Sequence, residues 1–210
     1  MNEVASILLK IRAITLSPKE PYTFTSGLKS PIYCDNRLLM SYPDLRKKVI
    51  DQFIAVIQKN NLVFDIVGGT ATAGIPHAAW IADRLQKPMI YIRGKSKEHG
   101  KKNQIEGKLE KGQIVLIIED LISTGGSSVS AVEAVREAGG VTHDCCAIFT
   151  YELEKARKKF EDAQCRLLTL TTFSEVLSTA TAQKYINPEE ETIAREWNKD
   201  PEKWGEQFGR

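Results

Sequence analysis

The stretch Ile114-Val115-Leu116-Ile117-Ile118-Glu119-Asp120-Leu121-Ile122-Ser123-Thr124-Gly125-Gly126-Ser127 decides how the rest of the chain is read. Ile114 to Ile118 is a continuous apolar run, the pattern of a strand buried on both faces. Two acids follow at once, then hydroxyl and glycine residues. The spacing beyond them predicts a helix over about Ser127 to Ala138, ended by Gly139-Gly140.

Working outward, the same alternation recurs. Tyr42 to Asn60 reads as a helix with Leu45, Val49, Phe53, Val56 and Ile57 as its apolar stripe. Ser41 with Asp44 resembles a capping box, and Pro43 suits the first turn. A strand over Phe64 to Val67 ends in Gly68-Gly69, and Thr70 to Leu85 is a loop leading into a helix. Met89 to Ile92, Val141 to Thr150 and Arg166 to Leu170 read as strands, Glu152 to Asp162 and Phe173 to Ala182 as helices. Strands alternating with helices predict an α/β fold, a central mostly parallel sheet flanked by helices on both faces. We expect a single domain over 1–210. Segments before Ile14 and after Leu170 form a small N-/C-terminal cap, with 1–40 contributing the hood. Trp197, Trp204 and Phe208 in the tail are candidates to pack on the body or on a second subunit.

With 42% apolar and 27% charged residues, the chain can bury a full core. A net charge of +2 gives no case for non-specific nucleic-acid binding. No apolar stretch reaches bilayer length, so no membrane partner is expected. Met1 to Leu16 is amphipathic, with Val4, Ile7, Leu8, Ile11 and Ile14 at helical spacing, and does not resemble a signal peptide. Cys34, Cys145, Cys146 and Cys165 form no C-x-x-C pair and read as reduced structural thiols of a cytoplasmic protein. Cys145 and Cys146 should point to opposite faces of a strand.

In parallel sheets, ligands bind beyond the carboxyl ends of the strands. Gly125 and Gly126 let backbone N–H groups wrap a phosphate, and the helix start adds positive potential. The hydroxyls of Ser123, Thr124 and Ser127 can donate as well. Glu119 and Asp120 cannot hold a phosphate, but they suit vicinal hydroxyls. Phosphate plus diol points to a phosphorylated ribose. The competing reading is a tight turn with an ordinary helix cap. Neither G-x-x-x-x-G-K-[ST] nor a G-x-G-x-x-G after a strand is present.

Ile114 to Ser127 resembles the phosphoribosyl-pyrophosphate motif of type I phosphoribosyltransferases. Phe24 to Arg37, through Ser26-Gly27-Leu28-Lys29-Ser30-Pro31-Ile32-Tyr33, resembles the N-terminal signature of the orotate phosphoribosyltransferases. Arg93 to Gly107, closing in Ile105-Glu106-Gly107, resembles that family's catalytic loop, and Gly94 to Gln104 contains no apolar residue. The resemblance implies transfer of phosphoribose from phosphoribosyl pyrophosphate to orotate, with Mg2+ bound through pyrophosphate and ribose oxygens and not directly by the protein. It implies catalytic roles for Lys97, His99 and Asp120. It implies phosphoribosyl-pyrophosphate binding by Arg93, Lys97, His99, Glu119, Asp120, Leu121, Ile122, Ser123, Thr124, Gly125, Gly126 and Ser127. Ser123 would lie near orotate, backbone groups of Lys29 to Tyr33 would read the pyrimidine edge, and Gly69 to Gly74 resembles the pyrophosphate loop. A mobile active-site loop over 94–107, shared across subunits, implies a homodimer.

Where some members carry lysines or an arginine, this chain has Thr25, Ala73, Gly94 and the pair Tyr151-Glu152. Lys95 or Lys29 are the candidates to compensate. Charge runs are usually solvated, so Lys97 and His99 also read as solvated loop residues. That loop has no aromatic interleaving for nucleic acid. His77 and His143 read as structural, and Tyr33 as a core residue. Two alternatives stay open: a purine phosphoribosyltransferase, and a phosphoribosyl-pyrophosphate-sensing regulator, for whose added DNA-binding domain the chain shows no spare length.

Overall fold

The computed structural model describes residues 2–94 and 104–208. Its centre is a six-stranded sheet assembled from β5 (Ile66–Thr70), β6 (Met89–Ile92), β7 (Ile105–Glu106), β8 (Val115–Ile122), β9 (Asp144–Thr150) and β10 (Arg166–Thr172). The spatial order is β10-β9-β8-β5-β6-β7. All neighbours pair in parallel except β7, which runs antiparallel to β6. Two short antiparallel pairs stand outside it: β1 (Ile14–Leu16) with β4 (Ile32–Cys34), and β2 (Tyr22–Thr23) with β3 (Lys29–Ser30).

The helices are α1 (Glu3–Lys10), α2 (Pro43–Lys59), α3 (Gly74–Leu85), α4 (Gly126–Glu137), α5 (Glu154–Asp162), α6 (Phe173–Ala182), α7 (Pro188–Trp197) and α8 (Pro201–Glu206). Alternation along the strands splits the core in two. Val67, Leu116, Ile118 and Cys146 face α2 and α3. Ile66, Val115, Ile117 and Cys145 face α4 and α5. The adjacent cysteines thus sit on opposite faces, and all four thiols are free. None of the described helices is long and apolar enough to cross a membrane.

Several elements depart from local pattern. The N-terminal helix stops at Lys10, Arg12 adopts φ 55°, and Ile14 to Leu16 is a strand because Cys34, Tyr33 and Ile32 offer it a partner. Ser41 does not cap α2; it ends a 3-10 helix over Asn36–Ser41, and Tyr42 makes no side-chain cap bond. Pro43 does occupy the first turn. β5 begins at Ile66, not Phe64, and runs through Gly68-Gly69, because β6 and β8 pair along both of its edges. β8 likewise continues through Glu119 and Asp120 to Ile122, since β9 follows it to Thr150. Tyr33 is no core residue: it is 45% exposed while its neighbour Ile32 points inward, as strand alternation requires.

The tail folds onto the N-terminal segment. Asn187 and Glu190 form a capping box at the start of α7. Trp197 at its end is fully buried against Tyr151 and Phe173, and its Nε1–H donates to the Lys29 carbonyl at 2.9 Å. Trp204 donates to the Ile193 carbonyl at 3.0 Å. Asn2, which caps α1, also donates to the Leu170 carbonyl at 2.9 Å.

Candidate active site

At the carboxyl ends of β5 and β8 lies a cavity of about 290 Å³, lined by Ala71 to Ala73, Glu119 to Leu121 and Ser123 to Ser127. Two helices begin at it. α4 starts after Gly125, whose φ of 73° is the left-handed conformation that glycine adopts without strain. Neither Gly125 nor Ala73, the residue before α3, provides a side-chain cap. The first-turn N–H groups of α4 therefore stay available to an anion, whereas in α3 Ile75 N–H already donates to the Thr72 carbonyl at 3.3 Å and Pro76 has no N–H, so α3 offers fewer donors.

Between them stand the acids. Glu119 is 5% exposed, and Ser128 Oγ donates to its Oε2 at 3.0 Å. Burial pushes the Glu119 carboxyl well above its ordinary range, and the nearby Asp120 charge adds to the effect. Burial raises Asp120 too, opposed first by its hydrogen bond with Glu119 and by backbone hydrogen bonds, and last by the Arg37 guanidinium. Asn36 Nδ2 donates to the Asp120 carbonyl at 2.7 Å and ties the hood to the acid strand. Arg37 donates along one guanidinium edge to Asp35, from Nε at 2.7 Å and Nη2 at 2.9 Å.

Not every expected residue meets at the cavity. Ile122 does not line it; the side chain is buried in the core and its carbonyl accepts from Tyr151 N–H at 3.0 Å. Arg93 pairs with Glu106 at 3.2 Å, where β6 and β7 zip the base of the loop. Lys95, Lys97 and His99 lie outside the described residues. Lys29 Nζ donates to Thr23 Oγ1 at 3.1 Å. The carbonyls of Lys29, Pro31 and Ile32 already accept bonds from Trp197, Ser17 and Ser30. Glu152 accepts from Ser174 N–H at 2.7 Å. His77 is buried, and burial with the Arg46 charge lowers it to about 4.

A larger cavity, about 870 Å³, lies elsewhere, between α5 and β10. It has an apolar floor of Leu153, Ala156, Phe160 and Leu167 and contains neither the acid pair nor a glycine loop. Size alone therefore does not pick out the site; the acid pair and the glycine loop line the smaller cavity. Sequence reading missed Asn36 and Ser128, the direct partners of the acid pair. Ser128 lies one residue past the loop and carried the only local signal, a hydroxyl on the first turn of α4.

Two uncapped helix starts around an acid pair, with Glu119 buried, on a parallel sheet mark a phosphoribosyl-handling α/β protein. The family profile described as phosphoribosyl transferase domain matches residues 42–182. The chain is 56% identical over 97% of its length to an orotate phosphoribosyltransferase of Coxiella burnetii, covering 97% of that protein. It is 52% identical over 97% of its length to one of Listeria innocua, covering 98% of that protein. Among solved structures, orotate phosphoribosyltransferase from Aeropyrum pernix superposes with a TM-score of 0.76 at 27% identity, over 88% of this chain and 99% of that one. Leishmania donovani UMP synthase superposes with a TM-score of 0.79 at 26% identity, over 94% of this chain and 42% of that one. The chain belongs to the orotate phosphoribosyltransferase family.

Proposed function

We propose that the protein transfers the phosphoribosyl group of 5-phosphoribosyl 1-pyrophosphate to orotate, giving orotidine 5′-monophosphate and pyrophosphate in pyrimidine synthesis. The observation that supports this most directly is the pair of uncapped helix starts flanking Glu119 and Asp120. One substrate carries phosphate at both ends of a ribose, and the site offers two anion seats with a diol acceptor between them. The Ser123–Ser127 turn takes the 5′-phosphate, and the Ala71–Gly74 turn takes the pyrophosphate. Glu119 and Asp120 accept hydrogen bonds from the ribose hydroxyls. Ser123 lies beside orotate.

The displacement at the anomeric carbon passes through a cation-like state, so the protein's work is positioning and charge management. Buried carboxylates beside the sugar favour the positive charge that develops there. Lys97 and His99 meet the departing pyrophosphate, with Arg93 at the loop's base.

Magnesium fits the donor set in part. Glu119 and Asp120 are hard oxygen ligands, but no group of three or more potential ligands converges among the described residues. The pyrophosphate and ribose oxygens, and not protein side chains directly, would hold the ion, which would neutralise the leaving group. A homodimer that shares the loop, in the cytoplasm, completes the proposal.

Pure protein with orotate, phosphoribosyl pyrophosphate and magnesium should consume orotate by absorbance, stop on chelation, and leave adenine, guanine and hypoxanthine untouched. No orotate turnover would sink the reading. Lys97→Ala should lower the single-turnover rate severely without shifting the melting temperature.

A further inference from the structure

The cavity has a charge deficit. Among the described residues, its lining contains two carboxyl groups and no lysine or arginine side chain. A phosphate monoester is close to a dianion, and helix starts and hydroxyls supply only partial charge. One ammonium approaches from behind the loop. Lys159 on α5 places Nζ 3.3 Å from the point where a Cβ on Gly126 would sit, with Thr124 Oγ1 4.0 Å from the same point. Cβ atoms in a helix lean toward its N-terminus. That point therefore lies beside the mouth of α4, where the anion would rest.

The approach is fixed by packing. The left-handed turn at Gly125 brings the loop against the Phe160 ring and the Ala156 backbone, at 3.3 and 3.4 Å from where a Cβ would stand. Lys159 immediately precedes Phe160, so the same contact that seats α5 delivers the amine. Of the other cations of α5, Arg157 pairs with Glu154 and Glu161 and Lys155 with Glu202 at 3.9 Å, while Lys158 makes no ion pair among the described residues and has no contact with Gly126. Lys159 makes no ion pair among the described residues. Glu133 and Asp162 share a groove with it and are the competing partners.

We propose that Lys159 is the side-chain cation of the 5′-phosphate seat, reaching past Gly126 to the phosphate oxygens. The inference rests on the reading that Ser123 to Ser127 hold that phosphate. Ribose 5-phosphate and pyrophosphate separate the two ends of the donor, so their binding to the full-length protein is measured by calorimetry.

Lys159→Gln should weaken ribose 5-phosphate about fivefold to tenfold and soften its salt dependence, as loss of one charge-assisted contact near the surface implies. Pyrophosphate binding should change by less than about twofold, and Lys159→Arg should restore ribose 5-phosphate to within about twofold. KM for phosphoribosyl pyrophosphate should rise by a larger factor than kcat falls. Ser127→Asp is the control for the seat: an acid in the first turn suits the helix but repels the phosphate. If Ser127→Asp loses ribose 5-phosphate while Lys159→Gln keeps it, Lys159 is a solvated surface residue and the seat reading stands. If Lys159→Gln weakens both ligands equally, its effect is general charge and the assignment is overturned. If Ser127→Asp keeps ribose 5-phosphate, the seat itself lies elsewhere and the inference falls with it.

Discussion

The β5–α3 turn and the β8–α4 turn have one plan: a buried parallel strand, a glycine-bearing loop and a helix start without a side-chain cap. They are neighbours in the sheet and line one cavity. Their glycines nevertheless do opposite things. A Cβ on Gly74 would meet the Ile118 carbonyl oxygen at 2.5 Å, so this glycine exists to let α3 abut the acid strand. A Cβ on Gly126 would meet two side-chain ends, Lys159 Nζ at 3.3 Å and Thr124 Oγ1 at 4.0 Å, and no backbone. Gly74 is held by the backbone behind it, whereas Gly126 lines the cavity and leaves room beside it. A phosphate-loop glycine is therefore two different constraints, and only the surroundings say which.

The contrast breaks first at Gly74. Gly74→Ala forces a methyl into backbone that cannot rotate away, and we expect a loss of about 3 kcal/mol in urea unfolding together with lost turnover, because Ile118 adjoins Glu119. An unchanged midpoint would make the two loops equivalent. Gly125→Ala should cost about 2 kcal/mol, combining left-handed backbone strain with the Phe160 contact. Thermal melting reads it, and a loss below about 0.5 kcal/mol would contradict the assigned conformation.

Glu119→Gln tests the acids between the loops. Its folded-state pKa is raised, so the protonated form is favoured by folding. The stability that goes with that proton is present at low pH and is lost as pH rises from the ordinary carboxyl range through the raised value. The amide keeps no such dependence. The ligand-free variant should therefore gain about 1 kcal/mol on wild type between about pH 5 and about pH 8, while losing affinity for the ribose. A gain that shrank with pH would reverse the sign. Gly126→Ala should give the smallest stability effect, within about 0.5 kcal/mol, because Lys159 can swing aside. A large loss there would erase the distinction between the loops.

Much of this was legible locally. The run Ile114 to Ile118 announced a strand buried on both faces, and the adjacent cysteines announced alternation, because side-chain period is a property of the backbone. Ser41 misled as a cap because it belongs to the 3-10 turn before α2. Tyr33 is exposed despite its aromatic ring because alternation in β4 turns its neighbour Ile32 inward. Asn36 on Asp120 is a bond across 84 residues, which no local pattern can carry.

By itself the sequence determined the order strand, acids, hydroxyl-glycine turn and helix. That order settles which backbone groups are free and which charges stand beside them, since both follow from residues adjacent in the chain. Tertiary structure alone decided that two such turns meet at one cavity, that Glu119 is buried onto Ser128, and that Gly74 serves packing where Gly126 lines the cavity. It also decided that Trp197 closes the hood over the Lys29 carbonyl. These depend on which surfaces exclude water from one another, and burial is a property of the assembled sheet and helices, not of any stretch of chain.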